Sequence, residues 1–155
     1  MADADMMQLY SKRILALAAD IPHLGPLPDA QGSAMKRSPQ CGSTVTAHVR
    51  LKDGRIAGFG QEVRACALGQ ASAGVLGQAV LGASRDDLAR ATEQLEKMLR
   101  EKGPVPDAPF AGLEALIPAR DYPNRHASIL LAWQAAVDAI DACAEAADGA
   151  QDARG

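Results

Sequence analysis

The sequence predicts an α+β fold, a small antiparallel three-stranded sheet with helices packed on one face. Two observations carry that expectation. Between Thr44 and Lys52 apolar and polar residues alternate, and Asp53-Gly54 follows directly. From Cys66 onward the apolar spacing changes to a helical period. No internal repeat interrupts this order.

The elements follow in sequence. Met6, Leu9, Tyr10, Ile14 and Leu17 recur near helical spacing, which predicts an amphipathic helix from about Asp5 to Ala19. Ile21-Pro22-His23-Leu24-Gly25-Pro26 ends it, and a Pro/Gly-rich stretch runs to Gly32. Ser33 to Arg37 reads as an edge strand. In the next strand Val45, Ala47, Val49 and Leu51 face a core, while Thr44, Thr46, His48, Arg50 and Lys52 face solvent. Asp53-Gly54 suits the left-handed dihedrals of a type I′ turn. A returning strand then covers about Arg55 to Val63, with Gly58 and Gly60 expected to weaken or bend it.

Leu68, Ala71, Val75, Ala79 and Val80 form the stripe of a helix that ends by Gly82. Ser84, three residues before Asp87, reads as the N-cap of a helix through about Arg100. Gly103-Pro104-Val105-Pro106 breaks the chain before a short helix around Phe110 to Leu116. The last helix is expected from Ala127, with Leu130, Trp133, Val137, Ile140 and Ala144 along it. Residues 1–148 thus form one domain. Residues 149–155 have nothing to bury and are expected to fray.

Composition narrows the function. The chain has 155 residues, 48% of them apolar, enough for one real core. Aromatics are only 3%, so aliphatic side chains fill it. A net charge of -3 argues against a nucleic-acid surface. No run approaches the roughly 20 apolar residues of a membrane span. The acidic start, Met1 to Asp5, is unlike a basic signal peptide, so a cytoplasmic protein is expected. Three cysteines at irregular spacing do not read as a secreted disulfide framework. There is no Walker A loop, no Gly-x-Gly-x-x-Gly after a strand and no Ser–His–Asp pattern, so self-contained catalysis is not indicated.

Chemistry concentrates at two cysteines. Cys41 precedes the first hairpin strand and Cys66 follows the second, and the outer ends of a hairpin are neighbours. Cys66 also opens a helix, where unpaired N–H groups and the dipole favour a charged sulfur. Two thiolates alone do not complete a tetrahedral metal site. Cys143, late in the last helix, reads as a packing residue.

The segments Pro39-Gln40-Cys41-Gly42-Ser43 and Cys66-Ala67-Leu68-Gly69-Gln70-Ala71-Ser72-Ala73 resemble the U-type scaffold family of iron–sulfur cluster assembly (NifU, IscU, SufU). Those proteins carry Cys-Gly-Asp and Gly-Cys-Ala-Ile-Ser-Gln-Ala-Ser there. Ile21-Pro22-His23-Leu24-Gly25 looks like a worn form of the family's Asn-Pro-Arg-Asn-x-Gly, and Asp53-Gly54-Arg55-Ile56 matches its hairpin. The helices between Ser84 and Pro106 fit the longer SufU-like branch. Tyr122-Pro123-Asn124-Arg125 and Trp133 align with the segment around the family's last cysteine.

The resemblance implies a SufE/NifU-like fold and a scaffold or sulfur acceptor, a carrier or sulfurtransferase-type acceptor more than a self-contained enzyme. Cys41 and Cys66 would bind iron, an iron–sulfur cluster or zinc. A cysteine desulfurase and cluster-recipient proteins would be the partners, with no nucleic acid and no membrane. Two ligand positions depart from the family. Ser43 stands where it has Asp, and Ser128, five residues before Trp133, stands where it has its third Cys. Hydroxyls are poor ligands for zinc or iron at neutral pH. His126, two residues before Ser128, is the candidate replacement metal ligand. The alternatives are a metal-free docking or regulatory protein on the same fold, and a Cys41–Cys66 thiol-redox module.

Overall fold

The computed structural model describes residues 11–39 and 42–154, with side chains through Cys143. One antiparallel sheet has the order β1-β2-β3, from β1 Gly32–Arg37, β2 Thr44–Lys52 and β3 Arg55–Arg64. Among the described residues four α-helices accompany it: α1 Lys12–Ala19, α2 Ala67–Ala79, α3 Arg85–Arg100 and α4 Pro123–Arg154. A 3-10 segment, Ala111–Asp121, leads into α4. The expected α+β architecture is present.

The hairpin forms where its pattern placed it. Asp53 and Gly54 have φ of 54° and 76°, the left-handed pair a type I′ turn needs. Thr44 pairs with Arg64 and Lys52 with Arg55, and the register shifts once between Arg50 and Leu51. Val45, Ala47 and Val49 are buried on the inner face. There α4 lies across the sheet, with Lys36 of β1 bridging Asp138 at 3.2 Å and the Cys143 thiol 3.6 Å from the Val49 carbonyl.

The chain after α1 runs along the free edge of β3, where Leu24 and Gln61 form an isolated parallel bridge, and turns over the outer face at Gly60. The Gly25 amide donates to the Gln61 carbonyl, and the Gln61 amide donates to the His23 carbonyl. A Cβ on Gly60 would lie 2.6 Å from the Gly25 oxygen. Gly60 therefore admits a crossing segment, a different role from the weakening expected of it.

The helices show where local signals worked and where they fell short. Ser84 and Asp87 make a full capping box: the Asp87 amide donates to the Ser84 hydroxyl at 3.1 Å, and the Ser84 amide to the Asp87 carboxylate at 3.0 Å. That backbone donor holds the Asp87 carboxyl below its ordinary range. Among the described residues the first helix is Lys12–Ala19, with Ser11 as its N-cap; the expected start at Asp5, with Met6, Leu9 and Tyr10, lies outside the described residues. The 3-10 segment runs five residues past Leu116. Helix α4 begins at Pro123 in place of Ala127, since a proline at the first helical position loses no hydrogen bond. It also continues to Arg154, through the stretch expected to fray; between Asp148 and Arg154 only Gly149 strongly disfavours helix.

The core lies between the sheet and the helices. Leu68, Leu76, Leu95, Leu113 and Trp133 are fully buried, and Phe110 meets Trp133 edge to face at 4.9 Å. Among the described residues no helix is long and apolar enough to cross a membrane.

Candidate functional site

Four elements meet at one end of the sheet. The Thr44–Arg64 pair closes that end, so Ser43 just before β2 and Cys66 just after β3 face the same corner. The turn from β1 into β2 is tied back on itself: the Ser38 amide donates to the Ser43 carbonyl at 2.8 Å, and the Gly42 amide to the Ser38 carbonyl at 2.9 Å. Cys41 falls within this turn in sequence, but lies outside the described residues.

Cys66 is the N-cap of α2, with extended φ and ψ of -66° and 170°. Its carbonyl accepts the Gln70 amide, and its side chain makes no capping bond. The sulfur is thus left to the corner, and Cys66 is half-buried and free. The hydroxyl of Ser128 on α4 lies 3.5 Å from it. The same hydroxyl donates to the Ser43 hydroxyl at 3.2 Å. Ser43 and Ser128 are both buried.

The two positions where the resemblance expected ligands are therefore brought to Cys66. A hydroxyl carries one proton. While Ser128 gives it to Ser43, a protonated Cys66 donates its own S–H to Ser128; a charged or ligated sulfur instead attracts the Ser128 proton. The Ser128 hydroxyl can thus either accept from or donate to the sulfur.

Packing of α2 against α4 fixes this corner. Gly69 stands one turn into α2, and a Cβ there would lie 2.7 Å from the Ser128 hydroxyl oxygen. A side chain there would force Ser128, or Ala65 at 2.8 Å, to shift. One further turn along, Ser72 donates to the Ile129 carbonyl at 2.7 Å and accepts from the Trp133 indole at 2.8 Å. Both partners lie on α4, so these bonds depend on the tertiary fold.

His126 is not brought to the corner. Its Nε2–H donates to the Ala119 carbonyl at 2.9 Å, and the ring is buried against the 3-10 segment. Two residues advance about 200° around a helix, so with Ser128 turned toward Cys66, His126 turns nearly the opposite way. The expectation of a third ligand there meets this placement as its main obstacle. Among the described residues no three His, Cys, Asp or Glu side chains converge as a metal cluster.

Two other features were not read from sequence. His48 bridges three strands on the outer face, with Nδ1 2.7 Å from the Ser33 hydroxyl and Nε2 3.0 Å from the Glu62 carboxylate. The Asp53-Gly54 turn alone does not set that proximity, because the register shifts between Arg50 and Leu51 and Ser33 comes from β1. Arg120 donates to the Met98 and Gly103 carbonyls at 2.6 Å each, closing the end of α3. No local pattern signals that contact.

Comparison with known proteins places the chain. The family model described as the NifU-like N terminal domain matches residues 9–142. The iron-sulfur cluster assembly scaffold protein IscU of Thermotoga maritima is 25% identical over 132 residues, covering 85% of this chain and 92% of that protein. The crystal structure of a nitrogen-fixing NifU-like protein (N-terminal) from Brucella abortus superposes with a TM-score of 0.88 at 41% identity, covering 91% of this chain and 98% of that one. A protein from Fervidobacterium islandicum, described as a scaffold for the SUF system, shares the fold at a TM-score of 0.76 and 20% identity, covering 86% and 98% of the two chains.

Proposed function

Because this chain belongs to the NifU-like N-terminal domain family, we propose that it serves iron–sulfur cluster assembly as a scaffold or sulfur-acceptor protein. Cys41 and Cys66 hold the cargo, which is iron or a nascent cluster. A cysteine desulfurase supplies the sulfur, and cluster-recipient proteins take the product. The observation that carries this reading is the corner itself: a free, half-buried Cys66 at a helix N-terminus, flanked by the two family ligand positions.

Those two positions bear hydroxyls, and that shapes what the corner can do. Zinc as a resident, four-ligand ion fits poorly, because Ser43 and Ser128 are bonded to each other and hydroxyls are weak donors to it. Iron or a cluster held mainly by sulfur suits a transient load, since a closed site releases metal reluctantly. The Ser43–Ser128 bond also favours a second reading, a docking protein that keeps the fold and holds no metal.

The test is anaerobic reconstitution of the full chain with ferrous iron and sulfide, followed by transfer to an apo-ferredoxin. Stoichiometric iron and acid-labile sulfide that pass to the ferredoxin support the scaffold reading. A chain that takes up neither rules it out, and the docking reading then stands.

A further inference from the structure

Ser72 of α2 is fully buried, and its hydroxyl makes two bonds to α4. It donates to the Ile129 carbonyl at 2.7 Å and accepts the Trp133 indole N–H at 2.8 Å. Within α4 the same Ile129 carbonyl faces the Trp133 amide, four residues on. Ser72 therefore closes a ring with a single turn of α4, and the hydroxyl donates and accepts at once. One bond would let α4 swivel about it. Two bonds to one turn fix both its rotation and its translation against α2.

Ser128 immediately precedes that turn. Its hydroxyl lies 3.5 Å from the Cys66 sulfur, and its hydroxyl and carbonyl oxygens both crowd Gly69 of α2. A helix that slides by one residue moves about 1.5 Å and turns about 100°. Such a slip would carry the Ser128 hydroxyl away from Cys66. On its other side α4 is held to the 3-10 segment by His126, 2.9 Å from the Ala119 carbonyl. Without the Ser72 hydroxyl that side alone would remain anchored. The buried Trp133 N–H would also lose its acceptor, a state native cores avoid. The helix relieves it by turning, and Ser128 turns with it.

We propose that Ser72 is a positioning residue for the cysteine corner: it sets the rotation of α4 that holds the Ser128 hydroxyl against the Cys66 sulfur. The geometry stands by itself, while its consequence for cargo rests on the scaffold reading above. A hydroxyl kept beside a ligating sulfur tunes that ligand, as outer hydrogen-bonding groups do around metal sites. Ser72 thus acts on the load from six residues along α2 without touching it.

The experiment measures alkylation of Cys66 by iodoacetamide in the folded full chain, freed of metal with a chelator, at a single pH. Ser72→Ala, Ser128→Ala, their double variant, Ser72→Thr, Trp133→Phe and Val75→Ala are compared with the parent by peptide mapping. Val75 is a control for stability alone: it is buried on α2 beside Gly112 of the 3-10 segment, away from the hydroxyls. Emission from Trp133, the single tryptophan, reports that each variant retaining it keeps its core.

Ser72→Ala is expected to change the rate in the same direction as Ser128→Ala, by roughly threefold to tenfold, the scale of one hydrogen bond. In the double variant the second substitution adds nothing, because both remove the same contact. Trp133→Phe, which keeps a ring and removes only the N–H, gives a smaller change of the same sign. Ser72→Thr, which retains the hydroxyl, and Val75→Ala react like the parent. Effects of Ser72→Ala and Ser128→Ala that multiply would make Ser72 a packing residue and overturn the proposal. So would a Val75→Ala protein that reacts as Ser72→Ala does, or a Ser128→Ala protein that reacts at the parent rate. These readings need no bound metal; failure of the parent to take up iron and sulfide would instead count against the scaffold reading.

Discussion

The two described cysteines occupy opposite environments. Cys66 sits where β3 hands over to α2, half-buried, with a hydroxyl 3.5 Å from its sulfur. Cys143 lies inside α4 against the sheet, buried, with the Val49 carbonyl as its polar neighbour. Burial pushes the Cys143 thiol above its ordinary pKa. Identical side chains are thus assigned different work by where the chain changes element. A junction leaves the sulfur facing a corner that a ligand can enter, whereas a helix face packed on a sheet makes it a small hydrophobe.

The sharpest way to break this comparison is alkylation of the folded protein. Cys66 is expected to react with iodoacetamide at least about 100-fold faster than Cys143, whose modification needs local opening. Peptide mapping by mass spectrometry reads both rates, and comparable rates would remove the distinction. A middle-sized effect comes from Ser128→Cys, which puts a second thiol beside Cys66. Iron or zinc should then be retained roughly tenfold more tightly in competition with a chelator, because a thiolate replaces a hydroxyl.

The smallest effect is thermodynamic. With its folded pKa raised, Cys143 contributes stability that is complete below the unfolded pKa and is lost as pH rises through the folded one. Denaturant unfolding above about pH 9 should therefore show the parent losing more stability per pH unit than Cys143→Ala. The difference is at most about 1.4 kcal/mol per unit, the limit for one proton. Parallel slopes would mean that Cys143 is not shielded from water.

What the sequence disclosed follows the range of the interactions. The alternation from Thr44 to Lys52, the Asp53-Gly54 turn and the Ser84–Asp87 box are each decided within a few residues, and all formed as expected. The start of α4 was legible too, since Pro123 is a first-position signal, but the apolar stripe drew attention to Ala127. Gly60 looked like a defect in a strand because the segment crossing it comes from far away along the chain.

At the site, Ser43 and Ser128 could be placed beside Cys66 by resemblance and hairpin geometry. The turning of His126 toward Ala119 could not, because the neighbouring 3-10 segment extends beyond the helix its pattern suggests.

The central claim is that Cys66, and not Cys143, carries the cargo. Reconstituting Cys66→Ala and Cys143→Ala side by side with ferrous iron and sulfide, and measuring bound iron and acid-labile sulfide, tests it most directly. The account predicts that Cys66→Ala loses most of both while Cys143→Ala loads like the parent. A Cys66→Ala protein that loads like the parent, or a Cys143→Ala protein that remains folded yet stays empty, would contradict it.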